Sequence, residues 1–174
     1  MASDTEDLDQ HFLTSASKLD VLFAAAAVAS TDAVAELGAG GGTVASRVPP
    51  CRSLTLYELD AALASRLRAV LLRATVVQGD ALAALRSGVR FDVLLCNLPH
   101  FLTPPLLAAL ASLAAETPPR FARAVIAVRA DDALGGGKHA ASLVFTELCV
   151  LDEDDFTPRQ AYKSRLVLCT PRGA

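Results

Sequence analysis

A chain of 174 residues, 52% of them hydrophobic and 20% charged, is long enough for one domain with a sizeable core and too apolar for a disordered segment. Its net charge of −3 excludes a uniformly basic nucleic-acid module. The apolar stretch within Leu19 to Ser30 is too short to cross a bilayer and the acidic N-terminus lacks the basic start of a signal peptide, so an intracellular, cytoplasmic location is expected.

In chain order, residues 1–12 read as an N-terminal arm and 13–174 as a single domain. Lys18 to Ser30 predicts a helix, and Ala33 to Leu37 a buried strand. The strand runs into Gly38-Ala39-Gly40-Gly41-Gly42, after which Thr43 to Val48 starts a helix that Pro49-Pro50 ends. Leu54 to Glu58 is the second strand. Ala61 to Arg73 is a helix with Leu63, Leu67 and Leu71 on one stripe. Ala74 to Gln78 is strand three, Ala81 to Arg86 a short helix, and Phe91 to Cys96 strand four. Pro104 to Ala115 is a helix with proline near its start, and Phe121 to Val128 is strand five. Leu134 to Lys138 is a glycine loop without the P-loop's first glycine and Ser/Thr, so a lid or plain turn is expected there. Ala140 to Leu151 predicts a helix running into a strand, and Leu166 to Cys169 is the last strand. Strands alternating with helices predict an α/β sheet covered on both faces. Cys51, Cys96, Cys149 and Cys169 are widely spaced and share no metal-ligand pattern, which predicts buried free thiols and no metal.

Two stretches carry chemistry. Glycines after the first strand let the backbone turn sharply and let a ligand approach. An acid at the end of strand two, Glu58, suits the hydroxyls of a cofactor ribose. Gly40 to Ala45 also fits a variant of the dinucleotide fingerprint, so NAD stays open on this signal alone. Glu36, just before the first glycine, suits the cationic amino group of S-adenosylmethionine. The bland alternative is a glycine turn with no ligand.

The second stretch is Asn97-Leu98-Pro99-His100, at the end of strand four. The exocyclic amine of adenine is a poor nucleophile because its lone pair is delocalised into the ring. The side-chain carbonyl of Asn97 and the backbone carbonyl of Leu98 can each accept one amine hydrogen and turn that lone pair towards an electrophilic methyl. Pro99 restrains Leu98, and His100 offers a flat ring for stacking. Catalysis of this kind is positioning, with no strong general base. The bland alternative is an Asn-x-Pro exit from a strand.

With these motifs, the sequence resembles the ribosomal RNA adenine dimethylase family, which includes the erythromycin-resistance methylases. Gln10-His11-Phe12-Leu13 is similar to the family's Q-N-F-L, and Glu36 to Gly42 to its E-x-G-x-G-x-G. Tyr57-Glu58-Leu59-Asp60, Gly79-Asp80-Ala81 and Asn97-Leu98-Pro99-His100 resemble its I-E-x-D, G-D-A and N-[LI]-P-[YF]. Phe156-Thr157-Pro158 with Ser164 resembles the late F-x-P-x-P-x-V-x-S. The resemblance implies a Rossmann-like class I methyltransferase: a seven-stranded, mostly parallel sheet with a C-terminal antiparallel hairpin, using S-adenosylmethionine on adenine N6 of ribosomal RNA. It implies that His11, Leu13, Glu36, Gly38, Gly40, Glu58, Asp80, Ala81 and Asn97 bind the cofactor. It implies that Asn97, Leu98 and Pro99 face the target amine, with the base flipped between His100 and Phe156. Four positions depart from the family pattern: His11 for asparagine, His100 for an aromatic, Gln160 for proline and Tyr162 for valine. The family's C-terminal helical domain is expected to be missing beyond Ala174, and the expected partner is RNA or a ribonucleoprotein, reached through a separate subunit.

Charge sets up the rival readings. Asp4, Glu6, Asp7 and Asp9 contribute −4 and Asp152 to Asp155 another −4, which leaves the remainder of a chain of net −3 at +5. Arg66, Arg68, Arg73, Arg86, Arg90, Arg120, Arg123 and Arg129 are then candidates for a basic face. The second acidic cluster is expected to repel phosphates at the mouth of the site. The rivals are a methyltransferase on a protein amide or small-molecule amine, a non-catalytic assembly factor on the same scaffold, and an NAD-dependent oxidoreductase.

Overall fold

The apolar runs pair into one seven-stranded sheet in a computed structural model that describes residues 11–134 and 138–173. The first ten residues, with Gln10 and the first acidic cluster, and Gly135 to Gly137 of the glycine loop lie outside the described residues. The chain runs β1 (Phe12–Leu13), α1 (Ala16–Ala26), β2 (Ala33–Leu37), β3 (Ser53–Glu58), α2 (Ala61–Val70), β4 (Ala74–Gln78) and α3 (Ala81–Arg86). It continues through β5 (Val93–Cys96), α4 (Thr103–Ala114), β6 (Arg123–Arg129), β7 (Leu143–Leu151), β8 (Phe156–Thr157) and β9 (Ser164–Pro171). The sheet order is β4-β3-β2-β5-β6-β9-β7. Strands β2 to β6 pair in parallel, and β9 alone runs backwards between β6 and β7. This is the mostly parallel sheet with an antiparallel end that the resemblance implies.

A parallel sheet must bury both faces. Leu82 and Leu85 of α3 and Leu106, Leu110 and Leu113 of α4 cover Leu37, Leu94 and Ile126 on one face. Leu19 and Leu22 of α1 and Leu67 of α2 cover Val34, Leu56 and Leu95 on the other. Strand β5 is fully buried along its length. At about 1.5–3 kcal/mol for each large apolar side chain, this burial is what holds its C-terminal tail in place. Among the described residues no helix is long and apolar enough to cross a membrane. The four cysteines are free, with Cys96 and Cys169 buried and the other two partly exposed.

Several predicted boundaries move, each for a local reason. Helix α1 stops at Ala26 rather than Ser30, because Ala27 turns left-handed at φ 42°. Arg123 secures that end: its guanidinium donates to the carbonyls of Ala26 and Ala27 and pairs with Asp32 at 2.6 Å. The helix expected over Thr43 to Val48 is a single 3-10 turn, Ala45–Arg47. Six residues between a glycine at φ 83° and two prolines are too few to repay helix nucleation. Arg73 donates to the carbonyls of Ala45, Val48 and Pro49, and α2 ends before it, at Val70. The predicted helix from Ala140 shrinks to a 3-10 turn over Lys138–Ala141, and β7 takes the nine residues that follow.

One carboxyl sits inside this framework with no cation paired to it among the described residues. Glu36 of β2 is 4% exposed and pairs in register with Leu56 and Leu95. Its Oε2 has no hydrogen-bond partner among the described residues. Burial first, and the neighbouring Glu58 charge second, hold this carboxyl well above its ordinary 4.5. A raised native value favours the protonated form, so its stabilising contribution is complete below the unfolded value and is lost as pH climbs through the native one. Glutamine is neutral throughout. Glu36→Gln is therefore expected to match the wild type in urea unfolding near pH 4.5 and to exceed it at pH 8; a difference that does not grow with pH contradicts this account.

Candidate active site

The chain lays β3 and β4 on one side of β2, then crosses to place β5 on its other side. In an open α/β sheet a ligand binds beyond the carboxyl ends at such a reversal. Here the tails of β2, β3 and β5 open on one cavity of about 430 Å³, within the usual range for small-molecule sites. Ten of the predicted site residues line it: His11, Gly38, Gly40, Glu58, Asp80, Ala81, Asn97, Leu98, Pro99 and His100.

At the β2–β3 end, backbone geometry dominates. The amides of Gly38 and Ala39 donate to the Tyr57 carbonyl at 2.9 and 3.1 Å, folding the glycine turn onto β3. Gly38 has φ 68°, and a Cβ there would lie 2.6 Å from the Leu98 side chain. Gly40, at φ 53°, would drive a Cβ into the Phe12 ring. At both glycines the positive φ is the main constraint, and at Gly40 the Phe12 ring adds a packing one. The Glu58 carboxylate is 4% exposed and held at both oxygens: Gly40 N donates to Oε2 at 2.7 Å and Asp60 N to Oε1 at 2.9 Å. A carboxylate has about four acceptor positions, so two backbone bonds leave capacity for diol hydroxyls. Asp80 caps α3, its Oδ1 accepting from Leu82 N at 2.8 Å, while Leu59 stands 59% exposed beside the cavity.

At the β5 end, side chains dominate. Asn97 Nδ2 donates to the His11 carbonyl at 2.9 Å, which spends its amino group on the arm and presents its Oδ1 as the remaining acceptor. Pro99 has φ −50°, and its carbonyl accepts from Leu102 N at 2.9 Å, starting the 3-10 turn His100–Leu102. His100 Nε2 lies 3.0 Å from Ser164 Oγ and 3.3 Å from Gln160 Nε2. Gln160 Nε2 also contacts the Tyr162 carbonyl at 3.1 Å and Ser164 Oγ at 2.6 Å. A backbone carbonyl only accepts, so the Gln160 atom here is its NH2. His100 Nε2 thus meets two polar groups, the Ser164 hydroxyl and the Gln160 amide.

Three predicted site residues stand away from the cavity wall. Leu13 is 2% exposed and Phe156 4% exposed, packed together with Leu19 and Leu22. The pair lie opposite each other on the short antiparallel ladder of β1 and β8. Side chains alternate along a strand, so Phe12 faces the cavity and Leu13 the core. The expected stacking of a base on Phe156 is corrected accordingly: its ring is core. Glu36 is likewise interior. Conversely, Phe12, Phe101, Gln160 and Tyr162 line the cavity without having been assigned a role from sequence. Gln160 and Tyr162 stood out there only as departures from the family pattern.

The electrostatic expectations also change. The acidic run Asp152 to Asp155 is paired: Asp152 with Lys163 at 3.2 Å, Glu153 and Asp154 with Arg159 at 2.8 and 2.7 Å, and Asp155 with Lys18 at 3.9 Å. The exposed pairs among these contribute little stability, yet together the pairs offset the charge expected to repel phosphates. Of the arginines considered for a basic face, Arg73, Arg120 and Arg123 are spent on backbone carbonyls. Arg86 lines the cavity.

A family model described as ribosomal RNA adenine dimethylase matches residues 1–120. The ribosomal RNA small subunit methyltransferase A of Synechococcus elongatus is 28% identical over 94% of this chain and 68% of its own length. The Bordetella avium protein of the same name is 35% identical over 56% of this chain and 39% of its own. Among solved structures, a dimethyladenosine transferase from Plasmodium falciparum superposes with a TM-score of 0.78 at 23% identity, covering 93% of this chain and 64% of that one. The 23S rRNA methyltransferase ErmE superposes at 0.80 and 20% identity, covering 93% and 70%. The two structures share the fold. With more than half its length matched by the family model, the chain belongs to the ribosomal RNA adenine dimethylase family.

Proposed function

We propose that this protein is an S-adenosylmethionine-dependent methyltransferase acting on adenine N6 in RNA, with ribosomal RNA as the first substrate class to test. The observation that carries the reading is the juxtaposition of Asn97 and Leu98 with Gly38 at the reversal of strand order, one strand from the buried Glu58.

The residues present fit the cofactor. Glu58, buried and fixed by two backbone amides, suits the ribose diol, and Asp80 with Ala81 suits the adenine edge. Gly38 and Gly40 suit the methionine end, with Glu36 beneath them as a buried carboxyl that a cationic amino group would satisfy. When bound, S-adenosylmethionine supplies an electrophilic methyl on a sulfonium.

The chain's own contribution is orientation. Asn97 Oδ1 and the Leu98 carbonyl accept the two hydrogens of the target amine. The His11 carbonyl holds the Asn97 amide from behind, so the N-terminal strand takes part in aiming the acceptor. Pro99 restricts the backbone of Leu98 and keeps the second acceptor in place. No side chain needs to act as a strong base, because the amine sheds its proton after it has been methylated. A second reading, a protein amide or a small-molecule amine as acceptor, is favoured by the net charge of −3. Methyl transfer from labelled cofactor to small-subunit ribosomal RNA, to protein and to small amines, with nucleoside analysis of the RNA, separates the two. Label in N6-methylated adenosine supports the first reading, and label only in the other pools overturns it.

Within the first reading, Asn97→Ala is expected to lower kcat about a hundredfold or more while calorimetry finds S-adenosylhomocysteine bound within a few-fold of wild type. Full activity in this variant would sink the amine-orienting mechanism. Glu58→Ala loses a hydrogen-bonded charge and is expected to weaken S-adenosylhomocysteine about ten- to a hundredfold in the same titration. NAD binding in place of the sulfonium cofactor would instead revive the oxidoreductase rival.

A further inference from the structure

The four departures from the family pattern, at positions 11, 100, 160 and 162, are scattered in sequence and gathered in space. The Tyr162 ring meets His100 edge-on at 4.8 Å between centroids and 66° between planes, and His11 at 6.4 Å and 80°. Gln160, 3% exposed, bonds the Tyr162 carbonyl at 3.1 Å and reaches His100 Nε2 at 3.3 Å. All four line the cavity. The family model ends at residue 120, before the loop that carries Gln160 and Tyr162.

A flipped base needs a flat partner, and the candidates differ sharply. Phe156 is in the core, the Phe12 ring lies against Gly40 of the glycine turn, and Phe101 is 69% exposed. The His100 ring is held through Nε2 by Ser164 and Gln160. Tyr162 is partly exposed, reaches the cavity, and is held in a defined attitude. Arg129 lies over its ring, 5.1 Å from the centroid, and is itself fixed by Asp131 at 3.0 Å. A cation on one face of a phenol draws its π-density and favours an electron-rich partner such as a purine.

We propose that Tyr162 is the ring on which the target base stacks, backed by Arg129, and is thus a specificity-determining residue of this site. The proposal rests on the methyltransferase reading, and its test separates the two. Base–aromatic stacking is worth about 1–3 kcal/mol by alanine substitution, or roughly ten- to a hundredfold. Tyr162→Ala is expected to lower kcat/KM for RNA by about that factor, chiefly through KM, while Tyr162→Phe stays within threefold and S-adenosylhomocysteine affinity is kept in both. Retention of kcat/KM in Tyr162→Ala overturns the proposal. So does a parallel loss of S-adenosylhomocysteine binding, which marks a merely structural role. A second readout does not require turnover. The chain has no tryptophan and two tyrosines, so its emission reports Tyr57 and Tyr162 alone. An oligoribonucleotide with a single unpaired adenine, titrated into the S-adenosylhomocysteine complex, should quench that emission in wild type and not in Tyr162→Phe. If wild type transfers no methyl to RNA, the functional reading fails on its own, and the stacking proposal stands or falls on this quench.

Discussion

The pairing of β2 with β5 is the constraint on which the rest of the molecule depends. Val34 to Leu37 lies in parallel register with Val93 to Cys96, two strands far apart in sequence. Register fixes where the tails emerge, and the tails hold the chemistry: a glycine turn from one, an Asn-Leu-Pro-His turn from the other. The two tails come close enough that a Cβ at Gly38 would meet the Leu98 side chain at 2.6 Å. A slip of one residue in β5 would exchange its two faces, burying Asn97 or carrying it away from the crevice. Full burial of β5 makes such a slip costly, so the energy that positions Asn97 comes from the core beneath it.

The N-terminal strand adds a second constraint of a different kind. β1 has only two residues and pairs with the two residues of β8, so its own ladder is weak. It is reinforced at both sides. Thr14 and Ser15 donate to the Asp155 carbonyl at 2.9 and 3.2 Å, and Leu13 is driven into the core. The His11 carbonyl then receives the Asn97 amide. A chain segment from one end of the sequence thereby aims a group at the centre of the sheet, and Asp155, read from sequence as part of a repulsive acidic run, turns out to anchor that segment through its backbone.

What the sequence made legible follows from how local each cause is. β2, β4 and α3 fall on their predicted residues because continuous apolar runs, glycines and an Asp cap mark their ends within a few positions. Glu58 and Asn97 were legible for the same reason: each closes a strand, and strand ends face the crevice. The misplacements have non-local causes. Arg123 secures the end of α1 from a strand nearly a hundred residues away, and Arg73 bonds the carbonyls of the turn that replaced a predicted helix. The fate of Phe156 depended on which face of β8 met β1, a choice invisible without the partner strand. Lys163 and Arg159 neutralise acids on a neighbouring turn, and no periodicity announces that.

The site divides along the same line between local and non-local causes. Its β2–β3 half is made largely of backbone: positive-φ glycines, amides and a carboxylate held by amides. Such a half tolerates little change, because each element is fixed by chain geometry. Its β5–β9 half is built from side chains contributed by the arm, the turn after β5 and the loop before β9, which are free to change as a set. Ser164 and Gln160 show why they must change together. Gln160 Nε2 donates to the Tyr162 carbonyl and to Ser164 Oγ, and the same hydroxyl meets His100 Nε2, so a change at any one of these positions alters the partners left to the others. A substitution at one of these positions therefore strains its neighbours unless they follow. In such an arrangement the backbone-built half can stay fixed while a small, mutually dependent group of side chains at the β5–β9 end changes.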